Sequence, residues 1–159
     1  MRILVVSDSH GDIFHLMQAV REQPRAEVIL HLGDGEREAM ELRDKLPAGC
    51  TLIQVRGNND WGSRAPLTEE RVLEGKRLFF THGHLYHVKY GYREVISAAR
   101  QRKADILLFG HTHLAYTSYE DGMYIMNPGT VGSGWQGGSY GVVDITPAGI
   151  VTNIIRIKN

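Results

Sequence analysis

Apolar positions come in short runs that alternate with helical spacings through the first third of the chain. Residues 3–6 (Ile-Leu-Val-Val) form a continuous apolar run that stops at Ser7-Asp8-Ser9-His10-Gly11-Asp12, the pattern of a buried strand feeding a loop. Ile13, Leu16, Met17 and Val20 then fall at i, i+3, i+4 and i+7, which predicts an amphipathic helix with Asp12 as its N-cap and Pro24 as its stop. Residues 28–32 predict a second strand ending at Gly33-Asp34. Ala39, Leu42 and Leu46 predict a second helix closed by Pro47 and Gly49, and residues 51–55 a third strand ending at Gly57-Asn58-Asn59-Asp60. This β-α-β-α-β order predicts a parallel sheet with crossover helices.

The pattern then changes. Val72-Leu73 and Leu78-Phe79-Phe80 flank Glu74-Gly75-Lys76, which reads as a hairpin. Tyr92, Val95, Ile96 and Ala99 predict a third helix, and residues 106–109 a buried strand ending at Gly110. Two runs at 116–119 and 123–126 surround Asp121-Gly122, a tight-turn signal. Residues 140–145 and 150–157 pair across Thr146-Pro147-Ala148-Gly149. With no repeat, low-complexity tract or linker, residues 1–159 read as one mixed α/β domain of two packed sheets with helices outside.

Composition narrows the classes. With 42% hydrophobic and 23% charged residues the chain is that of a folded protein, and 159 residues suffice for one core. Eighteen Lys+Arg balance eighteen Asp+Glu, so charge does not indicate nucleic acid or acidic lipid as a partner. No apolar run approaches the roughly 20 residues of a membrane span. One cysteine, Cys50, excludes an internal disulfide and fits a reducing compartment, so the cytoplasm is the expected location.

The candidate chemistry sits in five segments, each directly after a predicted strand: Asp8-Ser9-His10, Gly33-Asp34, Gly57-Asn58-Asn59-Asp60, His82-Gly83-His84 and Gly110-His111-Thr112-His113. In a parallel sheet the carboxyl ends of the strands lie along one edge, so these loops are expected to converge. Residues i and i+2 of an extended segment point the same way, so Asp8 with His10, and His111 with His113, are each expected to reach one site. Carboxylate, imidazole and amide oxygen without thiolate suit Mn, Fe, Zn or Ni. Seven such groups exceed what one ion needs. Two divalent metal ions sharing a bridging carboxylate fit the count and serve in-line displacement at phosphorus.

These motifs, in this order, resemble those of the calcineurin-type metallophosphoesterases: Asp-x-His, Gly-Asp, Gly-Asn-x-Asp, His-Gly-His and Gly-His-x-His. The resemblance runs from Asp8 to Asn127-Pro128-Gly129-Thr130. The short length, the His-Gly-His step and the Asn-Pro-Gly turn are similar to the small microbial phosphodiesterase branch. It implies a four-layer α/β/β/α sandwich, two mixed sheets flanked by helices. It also implies Asp8, His10 and His113 on a first metal and Asn58, His82 and His111 on a second. Asp34 would bridge the two, and a hydroxide between the ions, Mn first among the candidates, would attack a small phosphate ester in line. Where many members carry His after the motif's Asn, this chain has Asn59, which donates a hydrogen bond but supplies no proton near neutral pH. His84 is the other candidate to meet the substrate. Phosphodiester hydrolysis is therefore the expected activity. The alternatives are a phosphomonoesterase, or a non-catalytic protein-binding scaffold such as the retromer subunit of vacuolar sorting, which has the same fold.

Other residues read more plainly. Asp60 is expected to orient its loop and not to bind metal, and Cys50 to face the core. Arg56 and Trp61 flank the second-metal loop. Tyr116, Tyr119 and Tyr124 alternate on strands as packing residues, and 116–119 is an edge on which a homo-oligomer could pair.

Overall fold

The computed structural model describes residues 1–132 and 137–158. Ten strands form two five-stranded sheets. The first has the order β10-β9-β1-β2-β3, from Gly149–Arg156 (β10), Ser139–Thr146 (β9), Arg2–Val6 (β1), Val28–His31 (β2) and Thr51–Gln54 (β3). The second has the order β4-β5-β6-β8-β7, from Thr68–Leu73 (β4), Lys76–Thr81 (β5), Ile106–Phe109 (β6), Met123–Asn127 (β8) and Tyr116–Glu120 (β7). Within the first sheet β1, β2 and β3 are parallel, with Val5 opposite Leu30 and Leu30 opposite Ile53. In the second, β5, β6 and β8 are parallel. Each sheet is completed by antiparallel edge strands, so both are mixed.

Strand alternation places one set of side chains between the sheets and the other outside. Ile3, Val5, Leu30, Leu78, Phe80, Leu108, Met126 and Val143 fill the space between them. On the outer face of the first sheet, Leu4, Val6 and Ile29 meet Leu16, Ala19 and Val20 of helix α1 (Ile13–Glu22) and Ala39 and Leu42 of helix α2 (Glu36–Arg43). On the outer face of the second, Phe79, Leu107 and Ile125 meet Val95, Ala98 and Ala99 of helix α3 (Arg93–Gln101). The result is the four-layer α/β/β/α sandwich expected from the family resemblance.

Local signals explain most boundaries. Asp12 caps α1 by accepting from the His15 N–H at 3.0 Å. Two-residue turns Glu74-Gly75 and Asp121-Gly122 close their hairpins with positive φ at both positions, the geometry that matches strand twist. One boundary differs from expectation. α2 stops at Arg43 and leaves Leu46 outside the helix, half-buried against the outer core. The residue before a proline is disfavoured in the helical region, so Pro47 ends the helix from a distance. Among the described residues no helix is long and apolar enough to cross a membrane.

A buried tyrosine ties α1 to the first sheet. Tyr140 on β9 is 1% exposed, donates to Glu22 Oε2 at 2.8 Å and accepts from Gln23 Nε2 at 3.1 Å. Burial, with Glu22 beside it and against the Gln23 bond, pushes its phenol up to about 12. The unfolded phenol ionises first, near 10, so this contribution is complete below about pH 10 and is lost as pH rises towards 12. Two units correspond to roughly 3 kcal/mol. Denaturant titrations should therefore show stability falling between pH 10 and 12, with a shallower fall in Tyr140→Phe. Equal slopes in the two proteins would refute the assignment.

Candidate metal centre

Every segment singled out for chemistry lies at the carboxyl end of a parallel strand: Asp8 and His10 after β1, Asp34 after β2, Asn58 after β3, His82 after β5, and His111 and His113 after β6. The two sheets bring these ends together. Asp8, His10 and His113 form one group and Asp34, His82 and His111 a second, with the ligand atoms of each group within 4.8 Å of one another. Asn58 Oδ1 joins the second, 3.1 Å from His82 Nε2. Each group draws on both sheets.

The backbone reaches this arrangement in a way the alternation argument does not anticipate. Asp8, His10, Asp34, His111 and His113 all have positive φ, from 43° to 69°. None of these segments is extended. Left-handed residues turn the chain at these steps; Asp8 and His10 share one group, whereas His111 and His113 enter different ones. Such conformations cost of order 1 kcal/mol or more for residues other than glycine and persist only where surroundings enforce them. Here the enforcement is visible. Asp8 N–H donates to Gly33 O at 2.9 Å and His10 N–H to Asp34 O at 3.1 Å, locking the first loop onto the second. Gly57 and Gly110 allow close approach, since a Cβ on the first would collide with the Asp34 carboxylate and on the second with Ser7.

Electrostatics follow from burial and charge. Asp8 Oδ2 accepts from Ser7 Oγ at 2.5 Å and from the His111 N–H at 3.1 Å. Its Oδ1 is buried, makes no hydrogen bond of ordinary geometry among the described residues, and lies 3.1 Å from His113 Nε2 and 3.6 Å from His10 Nε2. Burial alone would raise the Asp8 carboxyl, but His10, His113 and His82 outweigh it and hold the group well below the usual carboxylate range. Burial likewise opposes ionisation of Asp34, yet His82 and Asn59 bring it down to about 2. Asp8 lifts His10, and Asp34 with Asp8 lifts His82 in spite of its burial. Burial, then the charge of His82, lowers His111 to about 4. His82 Nδ1 donates to Leu32 O at 2.8 Å, which leaves Nε2 facing the cluster.

Three features fit a divalent cation in each group. A buried carboxylate oxygen without a partner is costly unless something occupies the space in front of it. Imidazole nitrogens converge in pairs, His10 Nε2 on His113 Nε2 and His82 Nε2 on His111 Nδ1, both at 3.1 Å. The oxygen and nitrogen donors match the preferences of Mn, Fe, Zn and Ni.

The remaining sequence-derived site residues sit beside these groups. Asn59 lies against Asp34, its backbone N–H donating to Oδ1 at 2.8 Å and its Nδ2 to Oδ2 at 2.7 Å. One of the two amide N–H donors of Asn59 is thus held by the carboxylate. The His84 ring lies 5.4 Å from that of His82, and its Nδ1 is buried without a hydrogen-bond partner among the described residues. Burial, then the charge of His82, lowers its pKa. Arg56 donates to Ser63 O at 3.2 Å. Cys50 packs against the outer core, and burial raises its thiol, as an inert cysteine requires.

Further residues position these loops: His31, which the sequence reading does not single out, Asn127 of the Asn-Pro-Gly turn, and Asp60. His31 is fully buried and kept neutral first by that burial. Its Nδ1 accepts from Gly33 N–H at 3.2 Å, so Nε2 carries the proton towards Ser9 Oγ at 3.1 Å. It therefore couples the Asp8 loop to the Asp34 loop. A histidine inside the apolar run of β2 was its only signal. Asn127 donates to Gly110 O and Thr112 Oγ1, both at 2.9 Å, and orders the loop that carries His111 and His113. Asp60 does orient a loop, by accepting from four backbone N–H groups: Gly57 at 2.6 Å, Asp34 at 2.8 Å, Gly35 at 2.9 Å and Glu36 at 3.0 Å.

Comparison with known proteins identifies the family and the fold. Phosphodiesterase YfcE of Escherichia coli (strain K12) is 30% identical over 168 aligned residues that cover 91% of this chain and 88% of YfcE. A predicted phosphoesterase from Streptococcus pneumoniae TIGR4 superposes with a TM-score of 0.82 at 26% identity, over 98% of this chain and 88% of that one. Vps29 from Entamoeba histolytica, solved in complex with Zn+2, shares the fold with a TM-score of 0.76 at 19% identity over 98% of this chain and 99% of its own. Residues 1–147 match the calcineurin-like phosphoesterase superfamily domain, and the chain belongs to that family.

Proposed function

We propose that this chain is a metal-dependent phosphodiesterase that holds two divalent cations, manganese first among them. The observation that carries the reading is the position of Asp34 between two ligand groups. Its Oδ2 lies 3.4 Å from His82 Nε2 in one group and 3.8 Å from His10 Nε2 in the other. Asp8, His10 and His113 would hold the first ion, Asn58, His82 and His111 the second, and Asp34 would serve both. Bound divalent cations supply charge stabilisation at the phosphoryl oxygens and lower the pKa of water towards neutrality.

The chain's own groups set the limits of the chemistry. Asn59 fixes both oxygens of Asp34 and cannot donate a proton to a leaving group. His84, neutral at pH 7 by its lowered pKa, can accept a hydrogen bond but is poorly suited to protonating an alkoxide. Substrates whose leaving group is already a stable anion, aryl diesters above alkyl monoesters, are therefore favoured. The scaffold alternative gives no role to two groups of converging carboxylate and imidazole ligands. Free Cys50 accords with a cytoplasmic location. Should two copies associate, the outer strand β7, with Tyr119 63% exposed, is where we place the contact.

Elemental analysis of metal-saturated protein should give close to two ions per chain, and chelation should abolish hydrolysis of an aryl diester. At most one ion at saturation, with hydrolysis intact, sinks the two-metal reading.

A further inference from the structure

Beside the ligand cluster lies a cleft of about 470 Å³ between the start of α2 and the loop after β3. It shares His10, Asp34 and Asn59 with the metal centre, and Arg37, Met40 and Trp61 also line it. The volume lies in the range of small-ligand sites.

The cleft's polar groups divide sharply. Its carboxylates are all engaged. Glu36 Oε2 accepts from Gln54 at 2.6 Å and Ser63 at 2.7 Å, and Glu38 takes the Gly11 N–H. Asp60 takes four backbone N–H groups, and Asp34 takes Asn59. Arg37, by contrast, is exposed and has no ion pair or hydrogen bond among the described residues. Trp61 is 89% exposed and Met40 59%. Single exposed apolar residues are ordinary, but an indole and a thioether that line one cleft shared with the ligand cluster are not scattered.

We infer that this cleft receives the organic group of the ester, and that the group is a planar aromatic ring, aryl or nucleobase, stacked on Trp61 with Met40 behind it. The inference rests on the phosphoesterase reading above and adds the substrate class. An indole face is the protein surface best suited to a flat ring, and such stacking tolerates any base or aryl group. Arg37 gives the same cleft a cation without an ion pair among the described residues. It can bond acceptor atoms on a nucleobase and has nothing to bond on a bare phenyl ring.

The test is calorimetric binding to the metal-loaded protein of inorganic phosphate, ribose 5-phosphate, phenyl phosphate and adenosine 5′-monophosphate. Stacking of one ring should make the two aromatic esters about 5- to 100-fold tighter than ribose 5-phosphate. Both should quench tryptophan emission in a Trp135→Phe background, where Trp61 is the remaining indole. Trp61→Ala should bring the aromatic esters down to the affinity of ribose 5-phosphate, and Trp61→Phe should restore most of the difference. Because the side chain is exposed, an unchanged melting temperature should accompany both variants. Adenosine monophosphate tighter than phenyl phosphate, with the margin lost in Arg37→Gln, assigns a nucleobase, and equal affinities assign a simple aryl group. Equal binding of all three esters, or an aromatic preference that survives Trp61→Ala, overturns the subsite while leaving the metal centre standing. If inorganic phosphate and every ester fail to bind, the phosphoesterase reading falls with it.

Discussion

Replacing Asp34 by asparagine should lower turnover of an aryl diester by at least about 100-fold and reduce bound metal below two ions per chain. Two effects combine. The amide removes the negative charge that lies between the ligand groups, 3.4 Å from His82 Nε2 and 3.8 Å from His10 Nε2. It also disturbs its own support. Asn59 donates to both Asp34 oxygens, so an asparagine must present its NH2 to one of those donors whichever way it is flipped. His113→Ala, by comparison, removes a ligand from the first group alone. Metal content and kcat measured together distinguish the two variants. Near-wild-type turnover in Asp34→Asn would show that no ion depends on this carboxylate.

Loss of the Asp60 carboxylate should cost stability directly. Asp60→Ala leaves four backbone N–H groups without their acceptor, three of them at the start of α2, whose N-cap residue Gly35 offers no side-chain bond. Charge-assisted bonds and helix-start effects of this kind add to about 2–4 kcal/mol, or a fall of roughly 5–15 °C in Tm for a chain of this size. Asp60→Asn keeps one acceptor oxygen and should lose about half as much. The Asp34 N–H is among the four, so metal affinity should decline in step. A Tm for Asp60→Ala within 1 °C of wild type would mean that solvent replaces the carboxylate without cost.

Much of this architecture can be read from local signals. Residues 3–6, 28–32 and 106–109 are apolar runs closed by polar or glycine loops, and they are strands buried on both faces. Asp121-Gly122 and Glu74-Gly75 announce hairpins because few other pairs accept positive φ twice in succession. Convergence of the strand ends follows from parallel pairing alone. What cannot be read is whatever depends on approach between distant segments. The left-handed turns at Asp8 and His111 arise from contacts with Gly33 O and with the Asp8 carboxylate, which no window around either residue contains. His31 looks like one more buried strand position until Ser9 is seen beside it. Trp61 and Met40 are separated by β3, and only the fold brings them to one cleft.

The division of ligands between the sheets has a mechanical side. Asp8, His10 and Asp34 are anchored to the first sheet, and His82, His111 and His113 to the second, with Asp8 and His113 more than a hundred positions apart in the chain. Cations in these groups would act as rivets across the open edge of the sandwich, closing very long loops at two points. Prying the layers apart would then require losing ligands from both rivets at once. Chelation would thus loosen the joint between the halves before it touched either sheet.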